Sequence, residues 1–299
     1  MKDFYILDSG LGTELRSRGF ALPDFQNSTW SAQALIDDPQ LILEIHKDNI
    51  EAGCTVITTS NYTATPLIWK AQEHDLDFIA LTETALRLAE EAVKSGSNKD
   101  VLIAGCFPPI NVSFRPDLTP SENELEDFYE ALAAVYKGRV DLILCETMAS
   151  IHEADIAAKI ASIHFKKVWL SWTTRGLNPL ILPSQEGLEA AAIELSKYNL
   201  DCQLVNCGHA DLSTESLKIL QSCVPNIGIY ANSSVNSMER EQLKTFENLH
   251  DVHHHHAIPI TPIEYANFAK EWLALGCMVI GGCCSTSPEH IKAIAGLGA

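Results

Sequence analysis

The sequence predicts an α/β fold, a single (β/α)8 barrel of the TIM type over residues 1–299. Three observations carry this expectation. Short apolar, β-rich runs alternate with amphipathic stretches eight times along the chain. No G-x-G-x-x-G or G-x-x-x-x-G-K-[ST] loop follows an early strand, as an open nucleotide-binding sheet would ordinarily require. No linker, low-complexity segment or charge block divides the chain, which points to one domain.

The elements follow in order. Residues 4–8, FYILD, are the first strand. Residues 39–52 set Leu41, Ile42, Ile45 and Ile50 at helical spacing; Asp37 and Asp38 are capping candidates and Gly53 can end the helix. The second strand is 54–60, CTVITTS, with a helix around 75–94. The third is 101–105 with helix 122–136, and the fourth 141–146 with a helix over about 151–163. The fifth is 167–173 with helix 186–197, and the sixth 202–207 with helix 214–221. The seventh is 227–232 with helix 262–275, and the eighth 277–282 with a last helix over about 288–295. The segments EAGCTVITT, KGRVDLILC and ALGCMVIGG share a helix end, a turn and an apolar strand, a weak internal echo that αβ turns also produce on their own.

Composition narrows the function classes. Apolar residues make up 46%, enough for a large core. The formal net charge of −18 argues against nucleic acid, which wants clustered Lys and Arg. It favours solubility and would tolerate a cationic small molecule. No run approaches the ~18 apolar residues of a membrane span. The start MKDFYILDSG lacks the basic and apolar regions of an export signal, so a cytoplasmic protein without a membrane partner is expected. Nine cysteines, an odd number, argue against a disulfide framework there. Cys54, Cys106, Cys145 and Cys277 sit in or beside apolar strands and read as small buried hydrophobes. Cys207 and the pair Cys283-Cys284 are instead flanked by turn residues.

A barrel of this kind carries its site at the C-terminal ends of its strands. Those ends supply Asp8, Ser60, Asn61, Tyr62, Cys106, Glu146, Thr173, Thr174, Cys207, Asn232, Cys283 and Cys284. Strands six and eight flank strand seven, so Cys207 can approach Cys283 and Cys284 despite the sequence gap. Neighbouring residues in a regular strand face opposite ways, so the cysteine pair requires a break, which Gly281 and Gly282 make sterically easy. Thr286-Ser-Pro-Glu then opens a helix whose positive end favours nearby thiolates. Three thiolates suit tetrahedral Zn²⁺, and a missing fourth protein ligand marks a catalytic site. Ordinary buried cysteines are the competing reading.

The segment IGGCCSTSPEHIKAI resembles the C-terminal motif of the homocysteine S-methyltransferases. LVNCG resembles their middle cysteine motif, DLILCETM their fourth-strand motif and LDSGLGTEL their opening motif. WSAQALIDDPQLILEIHKDNIEAG resembles their first helix region, and the resemblance runs from about residue 7 to 294. It is closest to the members that use S-methylmethionine or S-adenosylmethionine; the betaine-using branch has a longer C-terminal extension for oligomerisation. The resemblance implies that Cys207, Cys283 and Cys284 bind Zn²⁺ and that homocysteine sulfur takes the open position. A sulfonium donor would then methylate it, giving methionine. The leaving group is a neutral thioether, so no catalytic acid or base is expected beyond the metal-activated thiolate. Asp8 and Glu146 would meet the substrate ammonium, and Asn232 the metal site or the substrate. A monomer or weak homo-oligomer is expected.

Ser9 departs from the family, which often has Gly there; it would narrow the pocket or add a hydroxyl contact. Trp30, Tyr62, Phe107 and Tyr230 are candidate faces for the sulfonium cation, although aromatics near strand ends are more often simply core. The four histidines His253, His254, His255 and His256 cannot all face one ion in regular structure and are read as a polar loop, not as zinc ligands. Two other readings stand beside the methyltransferase. One is a thiol-rich zinc-buffering or redox-sensing barrel, which would need neither Asp8 nor Glu146. The other is a methyltransferase for a different small thiol.

Overall fold

The computed structural model describes residues 4–23, 29–71, 77–237 and 257–298. Eight parallel strands form the predicted barrel: β1 (Tyr5–Ile6), β2 (Val56–Thr58), β3 (Leu102–Phe107), β4 (Leu142–Met148), β5 (Val168–Trp172), β6 (Cys202–His209), β7 (Ile227–Asn232) and β10 (Cys277–Gly282). Two further strands, β8 (Ser234–Asn236) and β9 (Ala257–Pro259), pair antiparallel beside it; the sequence pattern did not suggest them. Around the barrel the order is β1-β10-β7-β6-β5-β4-β3-β2. A single parallel bridge, Leu7 to Val56, closes the ring between β1 and β2. It is reinforced by Thr55 N–H donating to the Ile6 carbonyl at 2.8 Å and Ile6 N–H donating to the Thr55 hydroxyl at 2.8 Å.

The helices form where local chemistry starts and stops them. Asp38 accepts Leu41 N–H at 3.1 Å to cap the helix Pro39–Ala52, and Gly53, at φ +101°, ends it in the left-handed conformation. Reciprocal Ser121–Glu124 and Thr261–Glu264 boxes open Glu122–Tyr136 and Pro262–Ala274. A short helix, Leu11–Ser17, follows β1 and was not expected. Among the described residues no helix is long and apolar enough to cross a membrane.

Strand alternation divides the core in two. Leu142, Leu144, Cys202, Leu204 and Val279 fill the barrel interior, while Ile143, Cys145, Val205 and Ile280 pack outward against the helices. Besides a register shift between Cys277 and Val279 at the start of β10, the alternation breaks at two places near the C-terminal ends of strands. The β4–β5 register shifts between Cys145 and Met148, and the β6–β7 register between Asn206 and His209. Thr147 and Cys207, within those shifts, both adopt φ +59°. These bulges carry β4 and β6 past their expected ends at 146 and 207.

Candidate active site and metal centre

A cavity of about 420 Å³ opens at the C-terminal ends of the strands. Regular alternation would point Cys207 outward, because Val205, two residues earlier, packs on the helix side. The left-handed bulge re-aims its side chain into the cavity. Cys283 and Cys284 lie just past the end of β10, where the strand has broken as expected. The sulfur atoms of Cys207, Cys283 and Cys284 all lie within 4.8 Å of one another, and Cys207 Sγ is 3.8 Å from Cys284 Sγ.

Neighbouring groups pin the loop that carries the pair. Cys283 N–H donates to the Ala231 carbonyl at 2.9 Å and Cys284 N–H to Asn232 Oδ1 at 3.0 Å. The Thr286 hydroxyl donates to the Cys283 carbonyl at 2.6 Å and accepts Gly10 N–H at 3.0 Å. A Cβ on Gly10 would collide with the Cys283 carbonyl oxygen, and one on Gly282 with the Thr286 side chain, so both positions demand glycine. Hydrogen bonding to Cys283 and Cys284, together with burial, pushes the Cys207 thiol well above its ordinary range. Three crowded thiols cannot ionise together without a cation between them. Three converging sulfurs, with no fourth protein ligand in the cluster among the described residues, fit an open Zn²⁺ site.

Two carboxyl groups share the cavity. Asp8 Oδ2 accepts Thr58 N–H at 2.9 Å, and Asp8 Oδ1 accepts the Thr58 hydroxyl at 3.3 Å. Burial pushes Asp8 up to about 7, with the Thr58 N–H opposing and Glu146 adding repulsion. Glu146 is likewise pushed up to about 7 by burial, while the Cys106 S–H, donating at 3.2 Å, favours its ionised form. Two such carboxyls facing one space are ready for a bound cation such as an ammonium group.

The cavity also holds buried polar atoms without hydrogen-bond partners among the described residues: Ser9 Oγ, His46 Nε2 and Ser60 Oγ. Burial holds His46 down to about 4, so its ring is neutral near pH 7. Asn49, one turn beyond His46, accepts Ser9 N–H at 3.0 Å. Non-glycine residues in the left-handed region gather here too: Trp30, Phe114, Thr147, Cys207 and Ser285 all line the cavity. Backbone strain of this kind persists where surrounding structure holds it for a purpose.

Of the residues anticipated from sequence, Asp8, Ser9, Ser60, Glu146, Cys207, Cys283 and Cys284 line the cavity, with Trp30, Tyr62 and Tyr230. Asn232 and Cys106 stand behind the lining, against Cys284 and Glu146 respectively. Asn61 is buried behind it also, accepting the Tyr136 hydroxyl at 2.9 Å. Thr173 and Thr174 are buried away from it. Phe107 is not a cavity aromatic: alternation turns it outward, where its ring stacks on Tyr129 at 5.2 Å. The four histidines at 253–256 lie outside the described residues. His46, Asn49, Arg16 and Phe114 were not anticipated. His46 and Asn49 continue the buried face of an amphipathic helix, and their type at such positions was the available signal.

A family model described as homocysteine S-methyltransferase matches residues 5–297 of the chain. The homocysteine S-methyltransferase of Escherichia coli (strain K12) is 28% identical over 310 residues, covering 98% of this chain and 94% of the relative. A selenocysteine methyltransferase of Astragalus bisulcatus is 24% identical, covering 97% and 90%. The crystal structure of the E. coli homocysteine methyltransferase MmuM in its metallated form superposes with a TM-score of 0.78 at 25% identity, covering 99% of this chain and 96% of that one.

Proposed function

This chain belongs to the homocysteine S-methyltransferase family, and from that premise we propose that it moves a methyl group from a sulfonium donor, S-methylmethionine or S-adenosylmethionine, to the thiol of homocysteine, giving methionine. The observation that carries the reading is the convergence of Cys207, Cys283 and Cys284 with an open side toward the cavity. These three residues would hold Zn²⁺, which when bound lowers the pKa of an incoming thiol so that it is a thiolate at neutral pH.

The chain's own residues do the rest. Asp8 and Glu146 bind the ammonium group of the acceptor in their ionised forms. Cys106 orients Glu146, and Asn232 acts through Cys284. The unpartnered Ser9, Ser60 and His46 offer hydrogen bonds to the remaining polar atoms of the substrates. In the transfer a carbon–sulfur bond forms on the acceptor as one breaks on the donor. The donor departs as a neutral thioether and takes no proton, so alignment within the cavity supplies much of the acceleration.

The carboxyl pair in the same cavity favours the enzyme over a zinc-buffering or redox-sensing barrel, which has no use for it. The Ser9 hydroxyl, facing the cavity, keeps a second acceptor reading in play, another small thiol or selenol. Residues 1–299 would act as one barrel, monomeric or weakly associated. A cytoplasmic location suits thiols that must stay reduced.

The test combines zinc quantification with assays of S-methylmethionine, S-adenosylmethionine and betaine against homocysteine and competing thiols. One zinc per chain and transfer from a sulfonium donor are expected. X-ray absorption should show a new sulfur ligand when homocysteine is added. Cys207→Ala or Cys284→Ala that kept full transfer would overturn the reading.

A further inference from the structure

Arg16 is the one lysine or arginine among the described residues lining the cavity, and it stands exposed at the mouth. Arg18, Arg115 and Arg139 each pair with a carboxylate, whereas Arg16, like Arg87 and Arg175, pairs with none among the described residues. Its guanidinium is instead held over the Trp30 ring, 5.0 Å from the centroid. Trp30 is itself fixed in the left-handed region at φ +41°. The indole also occupies the space that a side chain at Gly12, one helical turn before Arg16, would need. The guanidinium therefore rests on a rigid plate, with its hydrogen-bonding edges clear of carboxylates among the described residues.

Charge in the cavity is segregated. Among the described residues, two carboxyls and three thiols lie inside, and one cation lies at the rim. We propose that Arg16 anchors the carboxylate of the methyl donor, which makes the donor class a sulfonium with a free carboxylate. This rests on the methyl-transfer reading above. A sulfonium amino acid must direct its cationic centre inward, toward the acceptor sulfur. Its carboxylate then trails toward the mouth, where an acidic protein surface would repel it. Arg16 offsets that repulsion and adds a planar fork that matches the carboxylate. The acceptor differs, because its ammonium is drawn inward by Asp8 and Glu146.

The experiment compares S-methylmethionine with its carboxamide as donors to homocysteine, using zinc-loaded wild type, Arg16→Gln and Arg16→Lys. Arg16 is exposed, so these variants should fold normally. Wild type is expected to prefer the carboxylate donor by about tenfold to a hundredfold in kcat/KM, the scale of a charge-assisted pair. Arg16→Gln should lose that preference through donor KM, with homocysteine KM unchanged, and Arg16→Lys should recover part of it. Calorimetric titration of S-methylmethionine should show the same loss without turnover. An Arg16→Gln enzyme with unchanged donor KM, or with a raised homocysteine KM, would overturn the proposal while leaving the methyltransferase reading intact. A wild type that transfers from neither sulfonium overturns both.

Discussion

Asn232 Oδ1 accepts the backbone N–H of Cys284 at 3.0 Å, so an amide at the end of β7 sets the position of a thiol beyond the end of β10. Groups that orient metal ligands typically contribute about 10–100-fold to affinity. Asn232→Ala is expected to weaken zinc binding by about that factor while the circular dichroism spectrum stays unchanged. Competition against a chromophoric chelator measures it. Unaltered zinc affinity would assign the bond to loop folding alone.

Gly10 presses on the same loop from the opposite side. The atom that a Cβ would strike is the Cys283 backbone oxygen, which cannot swing away as a side chain could. Gly10→Ala should therefore displace Cys283 and cost most of the zinc and the transfer activity. Gly187→Ala, where nothing lies within 4 Å of the added Cβ, serves as the control and should behave as wild type.

The acid pair predicts a pH dependence. Burial holds Asp8 and Glu146 up to about 7, so each loses its charge as the pH falls through that value. Since the ionised forms are the ones proposed to bind ammonium, kcat/KM for homocysteine should rise between about pH 6 and 8. Asp8→Asn and Glu146→Gln should raise homocysteine KM by about tenfold or more, with zinc content intact. Glu146→Gln should also flatten the profile, and a profile as steep as wild type would remove Glu146 from the ammonium site.

Glu153 predicts a stability effect away from the cavity. It is buried, accepts Ile110 N–H at 2.9 Å, and burial raises it to about 7. An unfolded glutamate titrates near ~4.3. The folded state thus binds the extra proton between these values, and its contribution is full below the unfolded pKa and lost as pH rises through about 7. Glu153→Gln should flatten that part of the Tm-against-pH curve. A variant whose Tm still falls as wild type does over this window would clear Glu153 of the effect.

Much of this was legible in the sequence because periodicity marks buried faces directly. The helix Pro39–Ala52 and the strand Ile227–Asn232 were placed to the residue, and the three thiols and two carboxyls were found by their positions at strand ends. What pattern could not show was backbone handedness. Cys207 was expected to finish a regular strand; it sits in a bulge at φ +59°, and the strand runs on to His209. The same blindness hid Thr147. Phe107 stayed open between cavity and core because one residue of register decides whether a strand-end aromatic faces the cavity or the helices. His46 was overlooked because a histidine on a buried helix face is indistinguishable, by spacing alone, from a packing residue. Arg16 gave no signal before its helix was known to border the cavity mouth.

The seam between β1 and β2 has a consequence for how the barrel opens. Among the described residues the Leu7–Val56 bridge and a few bonds around Thr55 and Thr58 hold it, and the acceptor of the Thr58 N–H is Asp8 itself. A residue that stitches the two ends of the sheet together thus also lines the cavity, where it is proposed to receive the substrate. Local breathing of the seam and vacancy of the site become one equilibrium, which ligand shifts by mass action. Amide exchange at Thr58 should slow when homocysteine is added and quicken in Asp8→Asn, so that a loaded barrel is also the more tightly sewn one.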